Sequence, residues 1–186
     1  MPNKINVHVY PSQFVYETRI LRITKSLIED KVFDQIIILA SLQNSNLPIR
    51  EKIDDFRTVI RIPTLVNRAG LFSKIINMLE WNIRAFFLLR GEKIACINAH
   101  SLSVLPISGL IKYKNNSRLV YDAHEIETET TETKGLRQRV SKTVERVLMK
   151  YVDVICLTSD GHANWYSRNF EDVVIRVVRN CPYIER

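Results

Sequence analysis

Three titratable side chains lie together at the end of an apolar segment in the middle of this chain. The segment SRLVYDAHE covers residues 117–125, and Asp122, His124 and Glu125 directly follow its apolar residues. A parallel strand that is covered on both faces is typically a continuous apolar run, so we predict a buried strand here. Ligands of open α/β sheets bind beyond the carboxyl ends of such strands. The three side chains are therefore a candidate site, and the alternative is an ordinary strand end with Asp122 capping a turn.

Two further segments are expected to reach the same place. The segment KIACINAH, residues 93–100, is apolar and ends in His100, and the first strand is followed by a loop at residues 11–14 that contains Gln13. The carboxyl ends of parallel strands meet at one edge of a sheet. We therefore expect His100, Gln13 and the group at residues 122–125 to lie along one edge, with both histidines close to each other.

The elements that must position these side chains alternate between strand and helix. This alternation predicts an α/β fold: a single Rossmann-like, doubly wound, mainly parallel sheet of about seven strands with helices on both faces. The predicted helices are an amphipathic one through Ile20, one at residues 70–90, one at 102–113, one at 137–151 and a short one capped by Asp160. The predicted strands are residues 5–10, 33–40, 58–62, 93–100, 117–125, 152–158 and 173–178.

The helix at residues 70–90 is unusually apolar. Its polar residues Ser73, Asn77, Glu80 and Arg84 fall on one narrow stripe, and cationic residues flank its wide apolar arc. Such a helix is either buried on two sides or lays part of its surface on an anionic membrane. Two loops are also predicted, a polar one at residues 42–55 and an acidic, threonine-rich one at residues 125–135 that is the best candidate for a mobile loop over the site.

Size and composition limit the range of functions. The 186 residues suffice for one sizeable core, and the formal net charge of +7 suggests an anionic partner. The three cysteines, Cys96, Cys156 and Cys181, are odd in number and have no metal-ligand spacing, which indicates reduced thiols in a cytosolic protein. No signal peptide or bilayer-spanning run is present in the sequence, so we predict a cytoplasmic protein that could lie on the inner face of a membrane.

The central segment also carries a resemblance to a known family. VYDAHE, the later helix with its Glu145–Arg146 pair, and the strand VICLTS resemble the N-terminal half of GT-B glycosyltransferases of family 4. The family often has an Ala-His pair where Ala99 and His100 stand, and an arginine where Arg19 stands. Its usual glycines are absent from the loop after the first strand, and so is any dinucleotide fingerprint, which counts against a nicotinamide enzyme.

The resemblance implies a half enzyme. In this family an N-terminal Rossmann-like domain binds the acceptor, and a second domain binds the nucleotide-sugar donor. The family's Val-x-Asn passage to the second domain matches Val178 to Asn180, so residues 1–186 are expected to be the N-terminal domain. The donor-binding domain would then lie outside this chain, either because the protein is truncated or because the enzyme is split. Neither a cofactor nor a metal is expected in this half.

Roles for single residues follow from the resemblance. His124 is expected to be catalytic: it contacts the transferred sugar or the acceptor hydroxyl, and its near-neutral pKa suits proton movement, although hydrogen bonding alone is an equal alternative. Arg19 would reach an anionic substrate group, with a solvated helix-face charge as the alternative. The expected substrate-binding residues are Gln13, Arg19, His100, Asp122 and Glu125.

The expected partners are a nucleotide-sugar donor, a glycan or lipid-linked acceptor, and an anionic membrane surface. The implied function is sugar transfer in polysaccharide or glycoconjugate synthesis. The alternative is a non-catalytic α/β binding or scaffold module. Nucleic acid is not an expected partner, because the basic residues are dispersed and accompany no recognition motif.

Overall fold

A computed structural model gives the fold of this chain, and it describes residues 4–43, 46–64, 71–129 and 134–180, without the side chains of Leu71, Phe72 and Arg137. Eight strands form one sheet in the order β3-β4-β2-β1-β5-β6-β7-β8. All neighbours pair in parallel except β3 and β4, which are antiparallel. The strands are β1 (Ile5–Val9), β2 (Gln35–Leu42), β3 (Arg50–Lys52), β4 (Arg57–Pro63), β5 (Ile94–Ala99), β6 (Arg118–Ala123), β7 (Val154–Leu157) and β8 (Val174–Val177).

Five α-helices connect these strands. Pro106 lies in the first turn of the third helix, where its missing N–H costs no hydrogen bond. The last helix is capped by Ser159, whose Oγ accepts from the backbone N–H of His162, rather than by Asp160 as predicted. The helices are α1 (Thr18–Glu29), α2 (Leu71–Leu89), α3 (Leu105–Asn115), α4 (Leu136–Met149) and α5 (Asp160–Asn169).

The helices divide unequally between the two faces of the sheet. On one face α1 packs on β2 and β4 through a small core that includes Ile20, Ile36 and Ile38. The larger core on the other face joins α2, α3, α4 and α5 to β1, β5, β6 and β7, with Tyr121 and Tyr166 fully buried in it. The predicted doubly wound, mainly parallel sheet with helices on both faces is confirmed.

One strand was not predicted from sequence. β3 lies in the segment 42–55 that was predicted to be a loop, and all three of its residues are exposed. It forms because the backbone of Arg50 to Lys52 pairs with the edge of β4. A strand with no buried side chain has no apolar periodicity, so the pattern of residue types could not reveal it.

The strand order reverses beside β1, which pairs with β2 on one side and with β5 on the other. In doubly wound sheets this reversal opens a crevice at the carboxyl ends of the two strands. His100 follows β5 there, and its backbone N–H donates to the carbonyl of Val9 at the end of β1 (3.1 Å). The crevice of this sheet therefore opens at the edge where the sequence predicted the site.

Candidate functional site

Four charged or titratable side chains meet at the carboxyl edge of the sheet, and we call Arg19, His100, Asp122 and His124 the edge cluster. His100 Nδ1 lies 3.0 Å from Asp122 Oδ2, and His124 Nε2 lies 3.5 Å from the same oxygen. The rings of the two histidines are 6.1 Å apart between centroids. The prediction that both imidazoles lie at one sheet edge is therefore confirmed.

Arg19 is held tightly in the cluster. Its Nε and Nη2 donate to the two oxygens of Asp122 (3.1 and 2.6 Å), and Nη1 donates to the carbonyl of Val178 (2.8 Å). The two paired side chains are only 5% and 2% exposed. The solvated alternative for Arg19 was therefore wrong. Its guanidinium is engaged with Asp122, which makes it a partner of the site carboxylate.

Asp122 is a carboxylate at every physiological pH. Burial by itself would raise its pKa, but the hydrogen bonds from His100 and Arg19 outweigh burial and hold the pKa far below its usual range. Burial also lowers the pKa of His100, which the neighbouring Asp122 only partly offsets. His100 is therefore neutral, and it donates its single N–H from Nδ1 to Asp122.

A third histidine, His8, extends the cluster inward, and the sequence analysis did not predict it. His100 Nε2 lies 2.8 Å from Nδ1 of His8, which is fully buried in β1. Because His100 uses its proton on Asp122, His8 must be the donor, and burial lowers the pKa of His8 well below its usual value. The available signal was the pair Asn6 and His8, polar residues that alternate with valines in an otherwise apolar strand.

His124 is the most accessible member of the edge cluster. Its side chain is 37% exposed, against 2% for Asp122, and its backbone carbonyl is held by the hydroxyl of Thr158 (3.1 Å). Glu125 follows it and is exposed. His124 is thus the ring of the edge cluster that is partly open to solvent, although its Nε2, which faces Asp122, is buried and makes no hydrogen bond.

The loop after β1 is fixed without glycine. Phe14 adopts a left-handed conformation with φ of 55°, which a bulky residue rarely tolerates. Buried Arg61 holds this conformation, since its Nε donates to the carbonyl of Gln13 (2.9 Å) and its Nη2 to that of Phe14 (3.3 Å). Tyr10 at the start of the loop packs its ring edge to face on that of His100, with 6.0 Å between the ring centroids. The loop is therefore a rigid wall of the crevice.

Gln13 does not join the edge cluster. It lines a cavity of about 540 Å³ between α2 and the carboxyl ends of β2 and β4, and no member of the edge cluster lines that cavity. The structure therefore brings together Arg19, His100, Asp122 and His124, and it places Gln13 in a neighbouring compartment. We call this compartment the α2 cavity.

The edge cluster is better suited to hydrogen bonding than to a metal ion. The ligand-type atoms of His100, Asp122 and His124 lie within 4.8 Å of one another. However, Arg19 already occupies both carboxylate oxygens, and both ring nitrogens of His100 are engaged. A metal ion would have to displace a guanidinium of like charge from a buried carboxylate, which is unfavourable.

The outer surface of α2 contradicts the simple burial alternative. Residues four apart, Ser73, Asn77, Trp81, Ala85 and Leu89, form an inner row that faces the sheet, and Trp81 Nε1 donates to the carbonyl of Ala40 (3.1 Å). The opposite, outer row is apolar and exposed. The outer row consists of Ile75, Leu79, Ile83 and Phe87, with Met78 and Leu88 beside it.

Several predicted features lie partly outside the described residues. This group consists of the helix start at Gly70, the flanking cation Arg68, the third cysteine Cys181 and residues 130–133 of the acidic loop.

Cys96 and Cys156 are half-buried free thiols, and burial raises the pKa of each to about 11. No helix in the described ranges combines the length and apolarity needed to cross a bilayer.

Comparison by sequence gives no relative: no protein-family model and no curated protein matches this chain. Comparison by structure gives GT-B glycosyltransferases. Sucrose-phosphate synthase from Thermosynechococcus elongatus superposes with a TM-score of 0.72 at 9% identity, over 95% of this chain and 48% of that one. UGT89C1 from Arabidopsis thaliana, complexed with UDP-L-rhamnose, gives 0.65 at 8% identity, over 99% and 54%.

A third similar structure is HepE from Anabaena in complex with UDP and glucose, with a TM-score of 0.58 at 12% identity over 96% of this chain and 44% of that one. The chain thus spans about half the length of the structures it matches. At these identities the likeness establishes the fold, which is that of one half of a GT-B glycosyltransferase. It does not distinguish family 4 from other GT-B families.

Proposed function

We propose that this chain is the acceptor-binding half of a glycosyltransferase that moves a sugar from a nucleotide-sugar donor to a hydroxyl of a glycan or lipid-linked acceptor. The observation that carries the proposal is the edge cluster, in which one accessible histidine lies beside a buried carboxylate. It occupies the crevice of a fold that glycosyltransferases share. The donor is bound by a second half outside this chain, as the half-length match suggests.

In the proposed reaction the acceptor oxygen bonds to the anomeric carbon of the donor sugar, and the bond from that carbon to the nucleotide phosphate breaks. The acceptor hydroxyl loses its proton, and the departing phosphate gains negative charge. His124 binds the acceptor hydroxyl and takes up its proton, and the Asp122 carboxylate 3.5 Å away stabilises the resulting imidazolium. Arg19 and His100 keep Asp122 ionised and in place.

A second part of the proposal concerns where the reaction occurs. The apolar outer row of α2 is flanked by exposed Lys74, Arg90 and Lys93, and the guanidinium of Arg90 lies 5.3 Å from the centre of the Phe87 ring. An apolar strip with a cationic rim fits the surface of an anionic membrane. We propose that α2 docks there reversibly, on the cytoplasmic side, and brings the crevice to a membrane-held acceptor.

The proposed function is tested on the assembled enzyme, with this chain joined to its donor-binding half. Transfer of labelled sugar is measured from a panel of nucleotide sugars that includes UDP-glucose. Replacing His124 with Ala should lower kcat about 10²- to 10⁴-fold if the ring moves the proton, whereas His124→Gln should retain most activity if it only donates or accepts a hydrogen bond. Tyr113→Ala on α3, where the side chain is 90% exposed, is the control.

Two results would count against the proposal. Transfer from none of the nucleotide sugars by the assembled protein would favour the scaffold alternative. Unchanged kcat in the His124→Ala enzyme would remove the edge cluster from the chemistry, even if the protein remained a transferase.

A further inference from the structure

Two hydrogen bonds join the loops that follow β5 and β6, and His124 lies between them in the chain. The first bond runs from His100 Nδ1 to Asp122 Oδ2 (3.0 Å). The second is donated by the backbone N–H of Leu102 to Oε1 of Glu127 (2.8 Å). Leu102 belongs to the loop after β5, two residues beyond His100, and Glu127 belongs to the loop after β6. The two loops are therefore tied together on both sides of the histidine that is partly open to solvent.

The acceptor that Glu127 supplies comes from outside the turn it satisfies. Leu102 begins a short helical turn, and the first N–H groups of such a turn have no partner within it. Its own loop supplies one acceptor, the Oγ of Ser101, and that atom is used by the N–H of Ser103 (3.0 Å). Leu102 itself is buried in the large core. A hydrogen bond to a charged acceptor is about twice as strong as a neutral one, so Glu127 ties its loop firmly to a fixed point of the core.

The segment that carries His124 is also fixed beyond Glu127. The hydroxyl of Thr128 donates to Oε2 of Glu145 on α4 (3.2 Å). The hydroxyl of Tyr166 on α5 donates to the other oxygen of Glu145 (2.7 Å). Thr128, Glu145 and Tyr166 are all buried. The support of His124 is therefore continuous with the core on one side, and Glu127 connects it to the neighbouring loop on the other.

The orientation of the His124 ring assigns a role to each of its nitrogens. Nε2 faces the Asp122 carboxylate at 3.5 Å and is buried without a hydrogen bond. A carboxylate favours the proton on the nitrogen that faces it, so Nε2 carries the single N–H of the neutral ring. Nδ1 then carries the lone pair. If the ring takes up a proton, as the proposed function requires, it does so at Nδ1.

We propose that Glu127 is a positioning residue of the reaction. Its carboxylate fixes the His124 loop against the loop of His100 and so holds the His124 ring with Nε2 towards Asp122 and Nδ1 towards the acceptor hydroxyl. A displacement of about 1 Å in a reacting group can cost about 10²-fold in rate. The inference rests on the proposed function for this kinetic consequence, whereas the ring orientation can be measured on this chain without a substrate.

NMR of the purified chain with ¹⁵N-labelled histidine tests the ring orientation. The signals of His124 are identified by their loss in His124→Gln, and the shifts of the ring nitrogens show which of them carries the proton. In the unaltered chain we expect the proton of His124 on Nε2. Glu127→Ala should move the His124 ring signals towards those of a free imidazole, whereas the signals of buried His8 should stay in place.

Three matched variants separate the hydrogen bond from other effects of the substitution. Glu127→Gln keeps an oxygen that can accept from the N–H of Leu102, so it should preserve the His124 signals. Glu127→Asp keeps the charge but is one methylene shorter, so it should reproduce the change in Glu127→Ala. Glu129→Ala removes an exposed carboxylate from the same turn, whose closest partner is Lys142 (2.7 Å), and should leave the spectrum unchanged. Thermal unfolding followed by circular dichroism shows that each variant is folded under the conditions of the spectra.

Kinetics of the assembled enzyme separate positioning from substrate binding. With the donor and acceptor identified in the transfer test, Glu127→Ala should lower kcat about 10- to 100-fold and change KM by less than about threefold. The reason is that a displaced base weakens stabilisation of the transition state and not binding of the substrate. Glu127→Gln should keep kcat within about threefold of the unaltered enzyme.

Unchanged His124 signals in Glu127→Ala and Glu127→Asp would overturn this inference. Movement of the His8 signals together with those of His124 would also overturn it, because the substitution would then disturb the sheet as a whole. If the His124 signals move as expected while the assembled enzyme transfers no sugar, the positioning role of Glu127 in the structure stands and the proposed function fails. If the enzyme transfers sugar and Glu127→Ala leaves kcat unchanged, this inference fails and the proposed function stands.

Discussion

At the scale of single residues, the site is built around one buried carboxylate. Asp122 accepts hydrogen bonds from Arg19 and His100, and His100 in turn accepts one from His8. Each contact fixes the next one, because a neutral imidazole has one proton and one lone pair. The member of the cluster that is open to solvent is His124, which the proposed function assigns to the substrate. A single accessible ring on a rigid base is what positioning a reacting hydroxyl requires.

The buried pair of Arg19 and Asp122 gives the first prediction. Arg19→Met removes the cation and leaves a buried carboxylate, so the free energy of unfolding should fall by about 3–5 kcal/mol. Urea unfolding followed by circular dichroism measures this change. Lys25→Met, which removes the exposed pair with Glu29, should change it by less than about 1 kcal/mol. An equally small loss in Arg19→Met would show that the pair is not structural.

The buried histidines give a prediction about pH. Burial lowers the pKa of His8 and His100 in the folded state. Below about pH 6.5 these two histidines are therefore protonated in the unfolded chain but remain neutral in the folded chain. Stability should therefore fall as the pH falls, by up to about 1.4 kcal/mol per pH unit for each histidine. In the His8→Asn variant, the free energy of unfolding should fall less steeply with falling pH, by the contribution of one histidine.

This measurement is a difference between variants, because other groups act in the opposite direction. Burial raises the pKa of Glu127 and Glu145, and those carboxyls favour the folded state as the pH falls. Their contribution cancels when His8→Asn is compared with the unaltered chain between pH 7 and pH 5. Identical slopes in the two proteins would contradict the assigned neutral state of His8.

At the scale of elements, the first half of α2 is inverted relative to an ordinary surface helix, whereas the later inner residues Trp81, Ala85 and Leu89 pack in the core as usual. It turns its polar residues inward at one end and its apolar row outward. Monomeric soluble proteins rarely expose contiguous apolar patches without a function. The inversion is explained if the two faces serve a polar cavity and an apolar surface, respectively.

Vesicle binding tests this explanation. Ile83 is 57% exposed at the centre of the outer row, so Ile83→Asp should abolish co-sedimentation with anionic vesicles at low salt. The unaltered chain should bind those vesicles, bind neutral ones less, and be released at high salt because attraction to anionic lipid is screened. Leu136→Asp, equally drastic but on α4, should bind as the unaltered chain does. Absence of binding by the unaltered chain would leave the outer row to a protein partner.

At the scale of the whole molecule, the chain has the fold of half a GT-B glycosyltransferase. The edge cluster lies at the carboxyl edge of the sheet with His124 facing outward. In the function proposed above, a second half that carries the donor would meet this edge. We therefore expect purified residues 1–186 to transfer no sugar, because positioning both substrates supplies much of the rate.

The check is a transfer assay with the purified chain, nucleotide sugars and a panel of glycan and lipid-linked acceptors, followed by addition of the donor-binding half. Activity should be absent in the first step and should depend on both proteins in the second. Turnover by residues 1–186 alone would show that this half holds the donor as well.

Apolar runs and their spacing were enough to predict seven of the eight strands, the parallel doubly wound sheet and the shared edge of His100 and His124. These features follow from local patterns, because a buried parallel strand must be apolar and parallel strands must end on one side. The three exposed residues of β3 carry no such pattern, and only pairing with β4 makes them a strand.

Tertiary structure alone decided what each polar residue does. Arg19 and Asp122 are 103 residues apart, and His8 and His100 are 92 apart, so no local spacing could relate them. The helix pattern located the polar stripe of α2, but whether that stripe meets water, core or cavity depends on what lies opposite it. Sequence determines which side chains share a face, and packing determines what that face meets.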